Sequence, residues 1–246
     1  MKIKKEKDAY GQGVWAYFNG ENIHEIVERD DGFIDTSKIG PAVYFKDYDD
    51  WSENDKKSIK LAKGRILDIG CGAGRISLYL QKKGFNVVAI DNSPYAIEIC
   101  KKHGLKNAIV MSIDEIGKFK PNGFDTIIMF GNNFGLFGNY KKAKKLLEVM
   151  YKITSPNAQI LTESHSPYQT KMKEHLDYQK FNRKRGRMSG QLRIRVRFRK
   201  IIGNWFDYLI VSKSEMKNIL KGTGWKIKRF TDSKGSTYTA VIIKNG

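Results

Sequence analysis

The stretch that most constrains this chain is Leu67-Asp68-Ile69-Gly70-Cys71-Gly72-Ala73-Gly74-Arg75, because of what flanks it. The apolar run Arg65 to Ile69 before it reads as a short buried strand, and Arg75 to Lys83 after it has helical spacing, closed by Gly84. Between a strand and a helix, glycine has physical uses. It allows positive φ in a tight turn and lets a ligand approach the backbone, and the helix start offers free N–H groups. A second strand, Asn86 to Ile90, ends at Asp91, 21 residues after Gly70. A carboxylate at that place can accept hydrogen bonds from both ribose hydroxyls of a nucleoside.

The rhythm continues downstream. Ser93-Pro94 opens a helix running to Lys102, with proline in its favoured first turn. Ala108 to Met111, Phe124 to Phe130 and Ala158 to Glu163 read as further strands, and Tyr140 to Ile153 as a helix. Strands and helices alternating at this spacing predict a mostly parallel sheet covered on both faces. Upstream, Glu21 to Arg29 fits a short helix and Trp51 to Ala62 a second, so residues 1–62 form a helical N-terminal cap. Residues 164–190 are polar and basic without strong periodicity. Gln191 to Lys200 and Trp205 to Val211 then read as an antiparallel hairpin, which makes 164–211 an insertion in a domain spanning 63–246. Ser212 to Glu215 resembles a capping box opening a helix to Lys221, and two closing strands follow at Trp225 to Phe230 and Tyr238 to Ile243.

Composition limits the setting. No apolar run approaches the ~18 residues that a membrane span needs. The N-terminal residues are charged and lack the apolar centre of a secretory signal. The two cysteines, Cys71 and Cys100, stand in no metal-ligand spacing, so neither a disulfide framework nor a metal is expected, and the expected location is cytoplasmic. The net charge of +19 points either to a well-solvated lysine surface or to an anionic partner. Of 11 arginines, seven lie between Arg183 and Arg199. In a strand, Arg193, Arg195, Arg197 and Arg199 share one face, opposite Leu192, Ile194, Val196 and Phe198. Such a row can recognise phosphate or carboxylate, with Arg195 and Arg197 as candidate substrate contacts. It can equally pair with acids elsewhere in the fold, guard a sheet edge or build a dimer interface.

Two nucleoside cofactors compete for the glycine loop. A dinucleotide site prefers GxGxxG. This loop is GxGxG preceded by Asp68, and a carboxylate there suits a cationic amino group better than a pyrophosphate. That favours S-adenosylmethionine over NAD. At this point residues 63–163 and 212–246 resemble the class I S-adenosylmethionine-dependent methyltransferases. The resemblance implies a Rossmann-like α/β fold with a seven-stranded, mostly parallel sheet. It implies cofactor contacts from Asp68, Gly70, Cys71, Gly72, Asp91, Asn92, Ser112, Ile113 and Gly131. The family often has an aspartate where this chain has Ser112, with Asp114 two residues on.

Methyl transfer needs the acceptor and the methyl carbon aligned in line, and a base only where the acceptor is still protonated. The candidates are Asn132 after the fourth strand and Glu163 and His165 after the fifth, with Tyr17, Tyr44 and Tyr168 as aromatic acceptor contacts. A structural role is an equal reading for the aromatics of the cap. The expected acceptor is a small, anionic molecule. RNA methylation through the arginine hairpin and a non-catalytic cofactor-binding subunit are the rivals.

Overall fold

The computed structural model describes residues 3–37, 40–233 and 235–245. Seven strands make one sheet in the order β11-β12-β7-β6-β3-β4-β5. By compactness the chain divides into two units. One comprises residues 1–51, 65–115 and 193–206, the other 52–64, 116–192 and 207–246. This division does not follow the cap-and-insertion boundaries read from the sequence.

The first unit holds the parallel strands β3 (Ile66–Ile69), β4 (Val87–Asp91) and β5 (Ala108–Val110), with α3 (Arg75–Lys82) and α4 (Pro94–Lys102) between them. Every residue of β3 and β4 is buried. That burial on both faces is why they read as unbroken apolar runs rather than alternating ones. α1 (Ala9–Phe18) also belongs here, although it contains Gly11 and Gly13. A Cβ on Gly11 would come within 2.2 Å of both Asp8 Oδ2 and Ser93 Oγ, so close packing requires glycine where helix propensity opposes it.

The helix expected over Glu21 to Arg29 is instead a strand, β1 (Glu25–Arg29). It pairs antiparallel with β2 (Ile34–Ser37) and with β8 (Gln191–Phe198), in the register Ile26 to Arg197 and Glu28 to Arg195. Ile23, Ile26 and Val27 suit a helical face on spacing alone, and the distant partner strand decides the outcome. β8 is also paired antiparallel with the short β9 (Ile201–Ile202). Arg199 lies beyond the end of β8 at φ +52°, so it is a turn residue and leaves the row.

In the second unit β6 (Phe124–Met129) runs parallel to β7 (Thr154–His165), and β7 is antiparallel to β12 (Thr237–Lys244), which pairs with β11 (Trp225–Asp232). α2 (Glu53–Ile59) is N-capped by Ser52, and α7 (Lys213–Leu220) has the full Ser212/Glu215 capping box. α5 (Tyr140–Ile153) buries Ala143, Leu146, Leu147, Met150 and Ile153 along one face. The segment that lacked periodicity contains α6 (Lys173–Lys184), which buries only Tyr178, Gln179 and Asn182. β10 (Phe206–Leu209) completes the strands. Among the described residues no helix is long and apolar enough to cross a membrane.

Candidate active site

The first unit holds the glycine loop and the acid at the end of β4. Gly70, Gly72 and Gly74 all have positive φ, at +73°, +55° and +89°. The turn they make aims the Gly72 amide at Asp91, which accepts it at Oδ2 over 3.0 Å. The other oxygen, Oδ1, accepts the Ser93 amide at 2.9 Å. The Asn92 amide bonds the same carboxylate, whose two oxygens still have acceptor capacity left for a ligand hydroxyl. Burial pushes the Asp91 carboxyl up to about 6, with Asp8 adding to the rise. Asp68 is also pushed up to about 6 by burial, and the Ser77 hydroxyl donates to it at 2.6 Å. Ser77 thus ties the end of β3 to α3, a link that no sequence motif announced.

Ser112 lies beyond β5 as expected, but its hydroxyl is used locally. It faces Asp114 Oδ2 at 3.3 Å and accepts the Asp114 amide at 3.2 Å. The residue following it, Ile113, is buried. Cys71 and Cys100 are both buried, with their sulfurs 3.9 Å apart. Asn92 follows Asp91 into the turn before α4, and its amide is a further donor to the Asp91 carboxylate.

Over the glycine loop lies α1. Val14 packs with Ala73 and Ile99, joined by Tyr10, Trp15, Phe18, Tyr44 and Phe45. Buried Asp8 fastens this segment. It caps α1 through the Gly11 amide at 2.8 Å and accepts the Ser93 hydroxyl at 2.7 Å. A Cβ on Gly72 would stand 3.1 Å from Tyr10 Oη and 3.7 Å from the Tyr44 ring. Tyr17 packs against Phe45, tilted by 36° with ring centroids 5.2 Å apart, so for this residue the packing role is the one on view. Sequence reading missed Asp8 and Tyr10, whose roles depend on partners far along the chain.

The arginine row is occupied by acids. Arg195 grips Glu28 through two bonds, Nε to Oε2 at 2.8 Å and Nη2 to Oε1 at 2.9 Å, and Arg197 bonds the same carboxylate. Glu28 is held below the usual carboxylate range, first by Arg195. Arg199 pairs with Glu21, and Arg195 also lies over the Trp205 ring at 4.4 Å. Of the readings open for the row, pairing within the fold is the one its geometry displays.

The second unit collects the three residues expected to act on an acceptor. Asn132, at φ +61°, donates its amide to Glu163 Oε1 at 3.0 Å and faces His165 Nδ1 with Oδ1 at 3.2 Å. Tyr208, unmarked in the sequence, donates its hydroxyl to the Asn132 carbonyl at 2.6 Å. With the Asn132 oxygen facing Nδ1, that nitrogen carries the imidazole proton and Nε2 keeps a lone pair. Burial lowers the His165 pKa below its usual value, with His175 adding to the drop, so the ring is neutral at neutral pH. Gly131 is exposed, and a Cβ there would meet nothing within 4 Å. Tyr168 is exposed and donates to Glu215 at 2.7 Å, the glutamate of the α7 capping box.

Residues 66–157 match the family model of the methyltransferase domain. Over those residues, fewer than half of the chain, this protein is similar to methyltransferase domains. A segment of 94 residues, 37% of this chain, is 37% identical to the tRNA (uracil(54)-C(5))-methyltransferase of Pyrococcus horikoshii and spans 23% of that protein. Another of 74 residues, 28% of this chain, is 32% identical to the ubiquinone biosynthesis O-methyltransferase of Xanthomonas euvesicatoria and spans 31% of it. The chain therefore matches about a quarter to a third of the length of these curated relatives. A SAM-dependent methyltransferase from Bacteroides fragilis, solved in complex with S-adenosyl-L-homocysteine, shares the fold. Its TM-score is 0.85 at 24% identity, over 100% of this chain and 98% of that one.

Proposed function

We propose that this protein transfers a methyl group from S-adenosylmethionine to a small-molecule acceptor. The observation that carries the cofactor is the Gly72–Asp91–Ser93 arrangement, a buried carboxylate held between two backbone amides beside three positive-φ glycines. The donor set fits the nucleoside. Asp91 would take the ribose hydroxyls, the loop amides and Asp68 would face the methionine end, and Ser112 and Ile113 would flank the adenine. When bound, S-adenosylmethionine supplies an activated methyl on a sulfonium that leaves neutral. On the protein side, His165 is positioned by Asn132, itself held by Glu163 and Tyr208, and can accept a proton at Nε2.

Calorimetric titration with S-adenosylmethionine, with NADH as control, tests the cofactor. Micromolar binding of the first and none of the second is expected, and the reverse would end the reading.

The engagement of Arg195, Arg197 and Arg199 by Glu28 and Glu21 favours a small acceptor over RNA, and it removes the basis for expecting an anionic one. Polyuridylate should therefore bind only in the non-specific range of about 10⁻⁴–10⁻⁶ M at physiological salt. Arg195→Ala should leave that affinity unchanged. Fluorescence anisotropy across a salt series measures both. Nanomolar binding lost in Arg195→Ala would transfer the assignment to RNA methylation, for which the net charge of +19 is the supporting feature.

A further inference from the structure

We propose that Glu25, set against Tyr44 and Tyr10 at the glycine loop, anchors a methyl acceptor that carries a protonated amine. The inference rests on the methyl-transfer reading above and names the chemistry of its second substrate.

Strand alternation separates two glutamates of β1. Glu28 shares its face with Arg195 and Arg197 and is neutralised by them. Glu25 is three residues away and so points to the opposite face, with Val27 and its partner Val196. Among the described residues its side-chain bond is from Tyr44, whose hydroxyl donates to Oε2 at 3.1 Å. Among the described residues no lysine or arginine is paired with it. Arg197 lines the same concavity, together with Tyr10, Val14, Pro41 and Phe198, but its guanidinium is bonded to Glu28.

The carboxylate faces the cofactor loop through two rings. Tyr10 and Tyr44 meet edge to face at 5.5 Å and 79°, and these are the two side chains closest to the missing Cβ of Gly72. Tyr10 is thus the ring shared by the glycine loop and the concavity that Glu25 lines.

A carboxylate only accepts hydrogen bonds, so what binds it must bring donors. Burial raises the Glu25 pKa, and Asp35 on β2 adds like-charge repulsion against the Tyr44 bond that lowers it. A second carboxylate or a phosphate would worsen that imbalance, whereas an ammonium relieves it. Tyrosine rings beside the carboxylate add faces that attract a cation. The substrate class is thus a small amine, and anionic acceptors are rejected.

The test uses probes of one shape and three charges, tyramine, tyrosol and 3-(4-hydroxyphenyl)propionate, with dopamine as a second amine, so that the ammonium is held while a phenol oxygen loses its proton to solvent and takes the methyl. Release of S-adenosylhomocysteine from the full chain is measured, and S-adenosylmethionine binding is measured separately. Turnover confined to the amines is expected. Glu25→Gln should raise their KM by about 10-fold or more, the loss of one charge-assisted contact, with kcat within about 3-fold and cofactor affinity unchanged. Glu25→Asp, which keeps the charge, should recover part of the loss and serves if the glutamine variant fails to fold. Turnover of 3-(4-hydroxyphenyl)propionate, an unchanged KM in Glu25→Gln, or no amine turned over by protein that binds S-adenosylmethionine would each overturn the inference. A chain that does not bind S-adenosylmethionine at all would sink the methyl-transfer reading instead.

Discussion

Asp91→Ala should weaken S-adenosylmethionine binding by about 100-fold or more, since contacts to a charged acceptor contribute about 1.5–3 kcal/mol each and two ribose hydroxyls would be lost. A second loss adds to the first. Asp91 also accepts the Gly72 and Ser93 amides, so its removal leaves two donors without their partner and frees the loop and the α4 start. Asp91→Asn keeps one acceptor oxygen and should fall between alanine and wild type. Calorimetry on variants shown by circular dichroism to be folded checks the order. Affinity within about 3-fold of wild type in Asp91→Ala would mean that the nucleoside does not bind there.

The same carboxylate sets a pH dependence. Burial pushes Asp91 up to about 6, and the ligand needs the ionised form. Cofactor affinity should therefore be steady above pH 7 and fall about 10-fold for each unit below pH 6. The stability of the ligand-free protein moves the other way through this group. A folded pKa above the ordinary value of 3.8 means that the folded state holds more protons between about pH 4 and 6, so this contribution falls as pH rises through that window. Titrations at three pH values with S-adenosylhomocysteine, whose sulfur carries no charge, follow the carboxylate. A flat profile in wild type would contradict the buried environment.

Local sequence carried the glycine loop and the acid after β4 because buried parallel strands are continuous apolar runs and positive-φ glycines mark their own turns. β3, α3, β4 and α4 lie within a residue or two of where periodicity and capping put them. What was not legible depends on partners far along the chain. Glu28 meets Arg195 across 167 residues, and Asp8 meets Ser93 across 85, so neither the neutralised arginine row nor the fastened α1 has a local signature. α6 escaped notice for a different reason. With Leu176 and Phe181 exposed and Gln179 and Asn182 buried, it lacks the apolar stripe by which a surface helix is read. Asn132, Glu163 and His165 were each visible as polar residues at strand ends. Tyr208, which fixes the Asn132 carbonyl, sits in a short strand whose alternation says nothing about a hydroxyl.

Gly135→Ala should be strongly destabilising in the second unit. The added Cβ would stand 2.2 Å from Cζ of Tyr208 and 2.3 and 2.5 Å from its two Cε atoms, so the ring has to leave its place. Gly135 is buried in the one-turn helix Asn133–Phe137, where Phe134 and Phe137 meet edge to face at 4.9 Å, so the backbone has little room to yield. Overpacking of this kind costs about 1–3 kcal/mol, and the lost hydroxyl bond to the Asn132 carbonyl about 1 kcal/mol more. A non-glycine residue at positive φ needs its neighbours to hold it, and the displaced tyrosine is one of them. The expected total of about 2–4 kcal/mol corresponds to a fall in Tm of roughly 5–12 °C. Tyr208→Phe removes only the hydroxyl and should cost about 1 kcal/mol. The double variant Gly135→Ala/Tyr208→Ala should be less destabilised than the two single changes added together, because the new methyl then occupies the space the ring vacated. Thermal unfolding of wild type, Gly135→Ala, Tyr208→Ala and the double variant decides it: strict additivity, or a Gly135→Ala protein melting within about 2 °C of wild type, would mean that the ring does not fill the space above Gly135.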